Sequence, residues 1–513
     1  MSKDVQKPGS DNWEKTETGG RFIRDVVIVA AILAGAFGWY YKTSQNKAAA
    51  DKTAKVAKDL LLKDDPAAYA QAEAKLKEVL ANYDDSHGYS LAALAELNAI
   101  LYVEHNVEDR KAAASEFVGK AVAAKTSTAE EYAAKAMMMV AEGKAAEAEK
   151  FLTAEVIDKN AGGARIYAAL GEALRVQGKL EEARRAFKAA FDADWRNPRF
   201  ATLIGESYLE EGDAANALAY YAKGLQSNSE HLGSMIGAAR ARIASGQGLK
   251  EAAEAIKAAL DREAELTPNL KARALVAKAE LALFEQKYDE AIAAAQSAAQ
   301  ADPSFAWSFA AKARAEAAKN DAAAAAASFD KAIAADGYVA AFYFDAARTL
   351  LAAGFDADKS LAYLQKYPLK KDDKYFLEYG NALRTAGRFD DALVQYDLGI
   401  KENEVNGKLY VAKGSILRQQ QKYDEAAKAF EAAQAAQEFN PELYVEKAML
   451  CFAKKEYEQG MQEYATALTQ WRQSKVSREQ LTAAIASVKE LLTKAGQRQY
   501  AQVWETEATQ LIR

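Results

Sequence analysis

Residues 167–190 read YAALGEALRVQGKLEEARRAFKAA. Tyr167, Leu170, Gly171 and Leu174 fall at three- and four-residue spacing, as on one face of a helix. Gly178 interrupts the pattern, and Ala183, Phe187 and Ala190 resume it. The stretch therefore reads as two amphipathic helices joined by a tight turn. Small residues sit where the helices cross, and one aromatic fills the space beside them. A lone hairpin of this kind cannot bury its apolar face, so it must be stacked on copies of itself.

The copies are present. The small residue at Gly171 recurs as Ala136, Gly205, Ala239, Ala279, Ala313, Ala347, Gly380, Gly414 and Ala448, in steps of 33 to 35 residues apart from one step of 40. The turn and second-helix start recur nearly verbatim: Gly178-Lys-Leu-Glu-Glu-Ala183, Gln286-Lys-Tyr-Asp-Glu-Ala291, Gly387-Arg-Phe-Asp-Asp-Ala392 and Gln421-Lys-Tyr-Asp-Glu-Ala426. The aromatic returns as Phe187, Tyr221, Phe329, Tyr363, Tyr396, Phe430 and Tyr464. In period and in these positions the chain resembles the tetratricopeptide repeat (TPR) family over residues 130–470. Two weaker copies precede that stretch, around 57–83 and 92–124. Departures are an insertion near 246–268, Lys359 where alanine is usual, and a closing proline only at Pro303.

The resemblance implies an all-α fold, a right-handed TPR superhelix (α-solenoid) of about 10–12 helical hairpins, preceded by one transmembrane helix. The expected organisation is a polar, disordered leader at 1–24, a transmembrane anchor at 25–42, a helical linker with weak repeat copies at 43–129, the TPR array at 130–469 and capping helices at 470–513. The cap pattern is Leu481, Ile485, Val488 and Leu492 on one helix, and Tyr500, Val503, Trp504 and Leu511 on the next.

Residues 26–41 carry no charge. Sixteen helical residues span about 24 Å, slightly less than a bilayer core. Phe22 and Ile23 lengthen the stretch, Arg24 and Lys42 can snorkel, and Trp39, Tyr40 and Tyr41 suit the interface. The segment reads as a single membrane anchor, against a cleaved signal peptide or a buried core helix. Ala31/Gly35 and Ala34/Gly38 have the spacing of a helix-dimerisation face, which would allow self-association. Lysines and arginines flank the span almost evenly, so charge does not fix its orientation.

Composition excludes much else. The chain has 513 residues but only 7 Pro, one cysteine (Cys451) and three histidines, His87, His105 and His231. No Gly-rich phosphate loop, His-Glu-x-x-His motif or nucleophile elbow is present. No catalytic, cofactor-binding or metal-ligating residue is assigned, no cofactor is expected, and the chain reads as a non-enzyme. A net charge of −6 gives no reason to expect nucleic acid.

On the geometry of the resembled family, first-helix side chains six before, one after and four after the small residue face a concave groove. The basic and aromatic members are Arg165, Arg199, Arg273, Trp307, Lys374 and Lys408 in the first row, Arg240, Arg314 and Arg348 in the second, and Arg175, Arg384 and Arg418 in the third. The three rows hold eleven Lys or Arg against four Glu. Such a groove would steer an acidic protein segment. The alternative, that basic residues complement helix dipoles, explains Arg175, Arg384 and Arg418 but not the first row. The family's carboxylate clamp, a Lys three before the small residue with Asn one after it, is absent: Asn381 is accompanied by Leu377.

The amino-terminal layout also looks like that of bacterial single-span TPR proteins related to the ancillary subunit of the SecYEG translocon. It comprises a polar leader, a span ending in Gly38-Trp39-Tyr40-Tyr41, then Ser44-Gln45 and an Ala/Lys-rich helix. That likeness implies an inner-membrane protein with periplasmic repeats, acting as a membrane-anchored scaffold or adaptor in an envelope complex. The competing expectation is a receptor with cytosol-facing repeats that targets or imports client proteins.

Overall fold

The computed structural model describes residues 14–159, 162–436, 440–473 and 478–511, and no strand occurs among them. The chain divides into two units, residues 1–209 with 213–274, and residues 210–212 with 275–513.

Unit 1 begins with α1 (Glu14–Leu61), α2 (Pro66–Asn82), α3 (Gly88–Val103) and α4 (Arg110–Ala123). Then come α5 (Ala129–Ala141), α6 (Ala145–Lys150), α7 (Ala164–Arg175), α8 (Leu180–Ala193), α9 (Pro198–Glu210), α10 (Ala214–Ser227), α11 (Leu232–Ser245) and α12 (Leu249–Asp261). α1 starts within the stretch expected to be a disordered leader; residues 1–13 of that leader lie outside the described residues. It contains an 18-residue window of mean hydropathy 1.8, none of it buried, and is long and apolar enough to cross a membrane. Residues 22–41 are exposed throughout, so none of the described residues packs them as a core helix. Without a break, the same helix then packs Ala50 and Ala54 against Val79 of α2.

α13 (Pro268–Phe284) carries the boundary between the units. Unit 2 continues with α14 (Tyr288–Ala301), α15 (Ala306–Ala318), α16 (Ala322–Ala335), α17 (Ala340–Ala352), α18 (Ala357–Gln365), α19 (Asp373–Thr385) and α20 (Phe389–Glu402). It ends with α21 (Gly407–Gln419), α22 (Tyr423–Ala436), α23 (Pro441–Lys454), α24 (Tyr457–Gln473), α25 (Arg478–Lys494) and α26 (Arg498–Leu511).

Every small residue of the repeat lies on the first helix of a hairpin. Seven residues later the backbone always turns left-handed: at Gly143, Gly178, Gly212, Gly246, Gly354 and Gly387, and also at Gln286, Asn320, Gln421 and Lys455. The small position itself is set by contact. A Cβ added at Gly171 would come within 2.3 Å of Phe187, and one at Gly380 within 2.3 Å of Tyr396.

Two local departures have clear causes. Opposite Ala347, Lys359 points outward and Ser360 takes the buried place, while α18 is only 9 residues long. At the end of the chain Leu481, Ile485, Val488 and Leu492 are buried as the pattern predicted. Val503 and Leu511, however, are 40% and 36% exposed. α26 has neighbours on one side, so Ala501, Trp504 and Ala508 form its buried face, and the Trp504 indole donates to the Ile485 carbonyl at 2.9 Å.

Candidate partner-binding surface

Positions six before, two before and one after the small residue are four and three apart, so they form one stripe along each first helix. In unit 2 this stripe brings cations and carboxylates together. Asp345 of α17 accepts from Arg314 Nε at 2.9 Å and from Arg348 Nη2 at 2.6 Å. Arg314 also pairs with Glu280 at 3.3 Å. Glu446 of α23 accepts from Arg418 Nε and from the Ser415 hydroxyl, both at 3.0 Å. Trp307 is buried, edge-on to Phe342 with ring centroids 5.0 Å apart.

Glu378 of α19 is the centre of the remaining cations. Burial pushes its carboxyl up, and the charges of Arg348, Lys374 and Lys408 act on it in the opposite direction. Arg348, Lys374 and Lys408 are all exposed, and the Arg348 side chain is 71% exposed. Lys374 Nζ donates to the Glu211 carbonyl. Arg384 is half-buried and acts on Tyr396, whose hydroxyl donates to Asn381 Oδ1 at 2.9 Å. Three exposed cations, with Arg384 beside them, thus share one face with the half-buried Glu378 and with Asp345, which already pairs with Arg348.

Unit 1 uses the same positions differently. Arg165 pairs with Glu96 at 2.5 Å and with Glu130 at 3.4 Å. Arg199 is 5% exposed and grips Glu104 with two nitrogens, Nε at 2.8 Å. Arg273 is bonded to Glu206, and burial lowers its guanidinium to about 10. Arg240 is buried, and Arg175 pairs with Glu172 at 3.2 Å. These arginines do not line an open basic groove. Glu96 of α3 and Glu104 just after it supply carboxylates to Arg165 and Arg199, and Glu206 and Glu172 serve Arg273 and Arg175.

Around Arg199 the packing is a polar network. His231 caps α11 through Nδ1, which accepts the Ser234 amide at 3.1 Å, and its Nε2 faces Asp64 Oδ2 at 3.1 Å. Asp64 also takes the Tyr69 hydroxyl. Burial alone would raise the Asp64 carboxyl, but the His231 hydrogen bond and charge, the Arg199 charge and the Tyr69 hydrogen bond bring it down to about 2. Nearby, His105 Nδ1 bonds Thr267 Oγ1 at 2.9 Å, and Arg262 reaches Asp65 at 3.2 Å. His87 caps α3 in the same way as His231, with Ser90 at its Nδ1 and Asp51 at its Nε2.

Two signals for this arrangement were present in the sequence. His-x-x-Ser recurs at His87 and His231, each at a helix start. The row two before the small residue carries Asp345, Glu378 and Glu446, on the same stripe as the counted cations. The pairing of Arg199 with Glu104, 95 residues apart, had no such signal.

Residues 168–230 and 411–475 match the family model described as tetratricopeptide repeat. No curated protein matches the chain. Among solved structures, it is similar to yeast Tom70, with 17% identity, 88% of this chain and 96% of that one covered, and a TM-score of 0.42. It is also similar to a human IFIT1 dimer with PPP-AAAA, with 16% identity, 75% and 93% covered, and a TM-score of 0.42. The APC/C hetero-tetramer Cut9–Hcn1 gives 15% identity, 90% and 96% covered, and a TM-score of 0.34. The two matched stretches carry tetratricopeptide repeats, and the helical hairpins stacked around them support a scaffold for protein–protein interaction.

Proposed function

We propose that the protein is a membrane-anchored adaptor that uses α17, α19 and α21 to hold an acidic segment of a partner protein. The observation that carries this reading is the exposure of Arg348, Lys374 and Lys408 on the first helices of three successive hairpins. Arg348 is paired with Asp345, whereas Lys374 and Lys408 form no ion pair with a described side chain, and their charge is exposed to an incoming chain. Long-range attraction of this kind raises association rates and selects against basic partners.

The exposed apolar length of α1 supports a single span, and the amino-terminal likeness to SecYEG-associated single-span proteins favours a bacterial inner membrane with periplasmic repeats. Binding of an acidic peptide to the full-length chain tests the first part. Affinity should fall steeply as salt rises from about 10 mM to about 150 mM, where the screening length shortens from about 30 to about 8 Å. It should also fall when Arg348, Lys374 and Lys408 become Glu. Salt-insensitive binding would remove the proposal. Protease protection in intact spheroplasts tests the second part, since cleavage of the repeats from outside is expected and a protected carboxy-terminal region overturns it.

A further inference from the structure

The repeat that begins at Ala279 lacks what most of its sisters use to fill the space between hairpins. Sixteen residues after the small position seven of the nine others place an aromatic, Phe187, Tyr221, Phe329, Tyr363, Tyr396, Phe430 or Tyr464, and this repeat, like the one at Ala239 with Ala255, places an alanine, Ala295. Twenty after it seven of the nine others place a larger apolar residue, Val156, Phe191, Leu225, Ile333, Tyr367, Ile400 or Leu468, and here stands Ala299. Both truncations fall on α14, and the chain has not collapsed to close the gap. A hollow of about 190 Å³ lies between α14, α15 and α16, walled by Ala295, Ala299 and Phe309. A cavity of about 150 Å³ already holds a benzene ring.

Ser308 lines the hollow. It is 0% exposed and its hydroxyl has no hydrogen-bond partner. The equivalent serine of an earlier repeat, Ser234, is satisfied by Thr202 at 2.7 Å and His231 at 2.8 Å. A buried hydroxyl left unpaired costs about 1–3 kcal/mol, so a ligand that pairs it is favoured. At the rim, Gln296, Gln300 and Lys331 are exposed. Lys312 is already answered by Glu316 at 3.2 Å, whereas Lys331 pairs with no described residue.

We propose that this hollow is a docking hole for one tyrosine side chain of a partner protein, carried on a segment with a carboxylate beside it. The ring replaces the aromatic that Ala295 and Ala299 omit, its hydroxyl meets Ser308, and the flanking acid meets Lys331. Apolar walls with a few convergent polar groups are the usual make-up of a recognition pocket, and a single buried aromatic is the usual anchor of an interface. The hole lies on α14–α16 and shares no residue with the Arg348 cluster, so each can fail without the other.

The test uses the full-length chain in lipid nanodiscs and a capped Asp-Tyr-Asp peptide, titrated by saturation-transfer NMR. Capped Asp-Ala-Asp and free 4-hydroxyphenylacetate serve as comparison probes. Ala299→Leu restores the sister pattern and should weaken the tyrosine peptide by about tenfold, the equivalent of about 1.4 kcal/mol. Lys331→Glu lies on the exposed rim, leaves the packing alone, and should weaken it by about threefold. Circular dichroism establishes that both variants keep parental helicity; if Ala299→Leu loses it, Lys331→Glu decides. No binding of the tyrosine peptide, equal binding of Asp-Ala-Asp, or binding indifferent to both substitutions overturns the proposal. Binding of 4-hydroxyphenylacetate without the peptide overturns it too, and assigns the hole to a free small acid.

Discussion

Arg199 and Lys374 occupy the same register, six residues before the small residue of their repeats, yet one is buried in an ion pair and the other is exposed. The difference lies in the supply of carboxylates. In unit 1 the first two hairpins bring Asp64, Glu96 and Glu104 against the first-helix stripe, and each cation there finds a partner within the chain. In unit 2 Asp345 and Glu280 serve Arg314, and Asp345 also serves Arg348, but no described carboxylate forms an ion pair with Lys374 or Lys408. Glu378 feels the charges of Arg348, Lys374 and Lys408 but pairs with none of them, and Arg348 is held by Asp345. Identical repeat geometry therefore yields a structural network in one unit and a charged surface in the other.

Removing Arg199 should give the largest effect. Arg199→Met strands Glu104 and takes a cation from beside Asp64. Breaking a buried pair from one side costs about 3–5 kcal/mol. Urea denaturation should show that loss, and amide exchange in α9 and α11 should accelerate while α19 and α21 keep their protection. If Arg348→Met destabilises as much, the contrast between the two stripes is unfounded.

Smaller, and equal in both units, should be the effect of crowding the glycine–aromatic contact. Gly171→Ala places a Cβ 2.3 Å from Phe187 and Gly380→Ala places one 2.3 Å from Tyr396. Overpacking of this kind costs about 1–3 kcal/mol. Thermal melts of the two variants should agree closely, because this contact belongs to the repeat and not to the charge pattern. A much larger loss in one unit would show that its hairpins are held more rigidly than the repeat alone requires.

That division also describes what the sequence made legible. Helix order, turn position, the small and aromatic contacts and the α25 face all follow from local spacing. The exposed cations of unit 2 were visible as a row, and their acids were visible one row away. The fate of Arg199 was not, since Glu104 is 95 residues distant and periodicity carries no information about which turns meet. Val503 and Leu511 fit an amphipathic pattern and are exposed nonetheless, because α26 packs against α24 and α25 through Ala501, Trp504 and Ala508.

Acid should loosen unit 1 first. The Asp64 carboxyl sits at about 2 in the folded chain against an ordinary 3.8. A depressed carboxyl contributes stability above its unfolded value and loses it as pH falls toward the folded one. The difference is worth about 2 kcal/mol. Between pH 4 and pH 2, α11 should therefore lose exchange protection ahead of α21, and Asp64→Asn should remove that part of the pH dependence. An unchanged profile in Asp64→Asn would mean that other carboxylates govern the acid transition.

The least change in stability is expected where the proposed function resides. Arg348 is tied only to Asp345 on its own helix, three residues away, and Lys374 and Lys408 are exposed. Exposed substitutions alter stability by no more than about 0.5 kcal/mol. Lys408→Glu and Arg348→Gln should therefore melt with the parent chain while weakening an acidic peptide, Lys408→Glu the more, since it adds a like charge beside Glu378. A surface kept for a partner can be emptied of charge without cost to the fold, whereas the same edit at Arg199 cannot. If Lys408→Glu destabilised unit 2 by more than about 1 kcal/mol, the Glu378 cluster would be a structural network like that of unit 1, and the acidic-partner surface would have to be sought elsewhere.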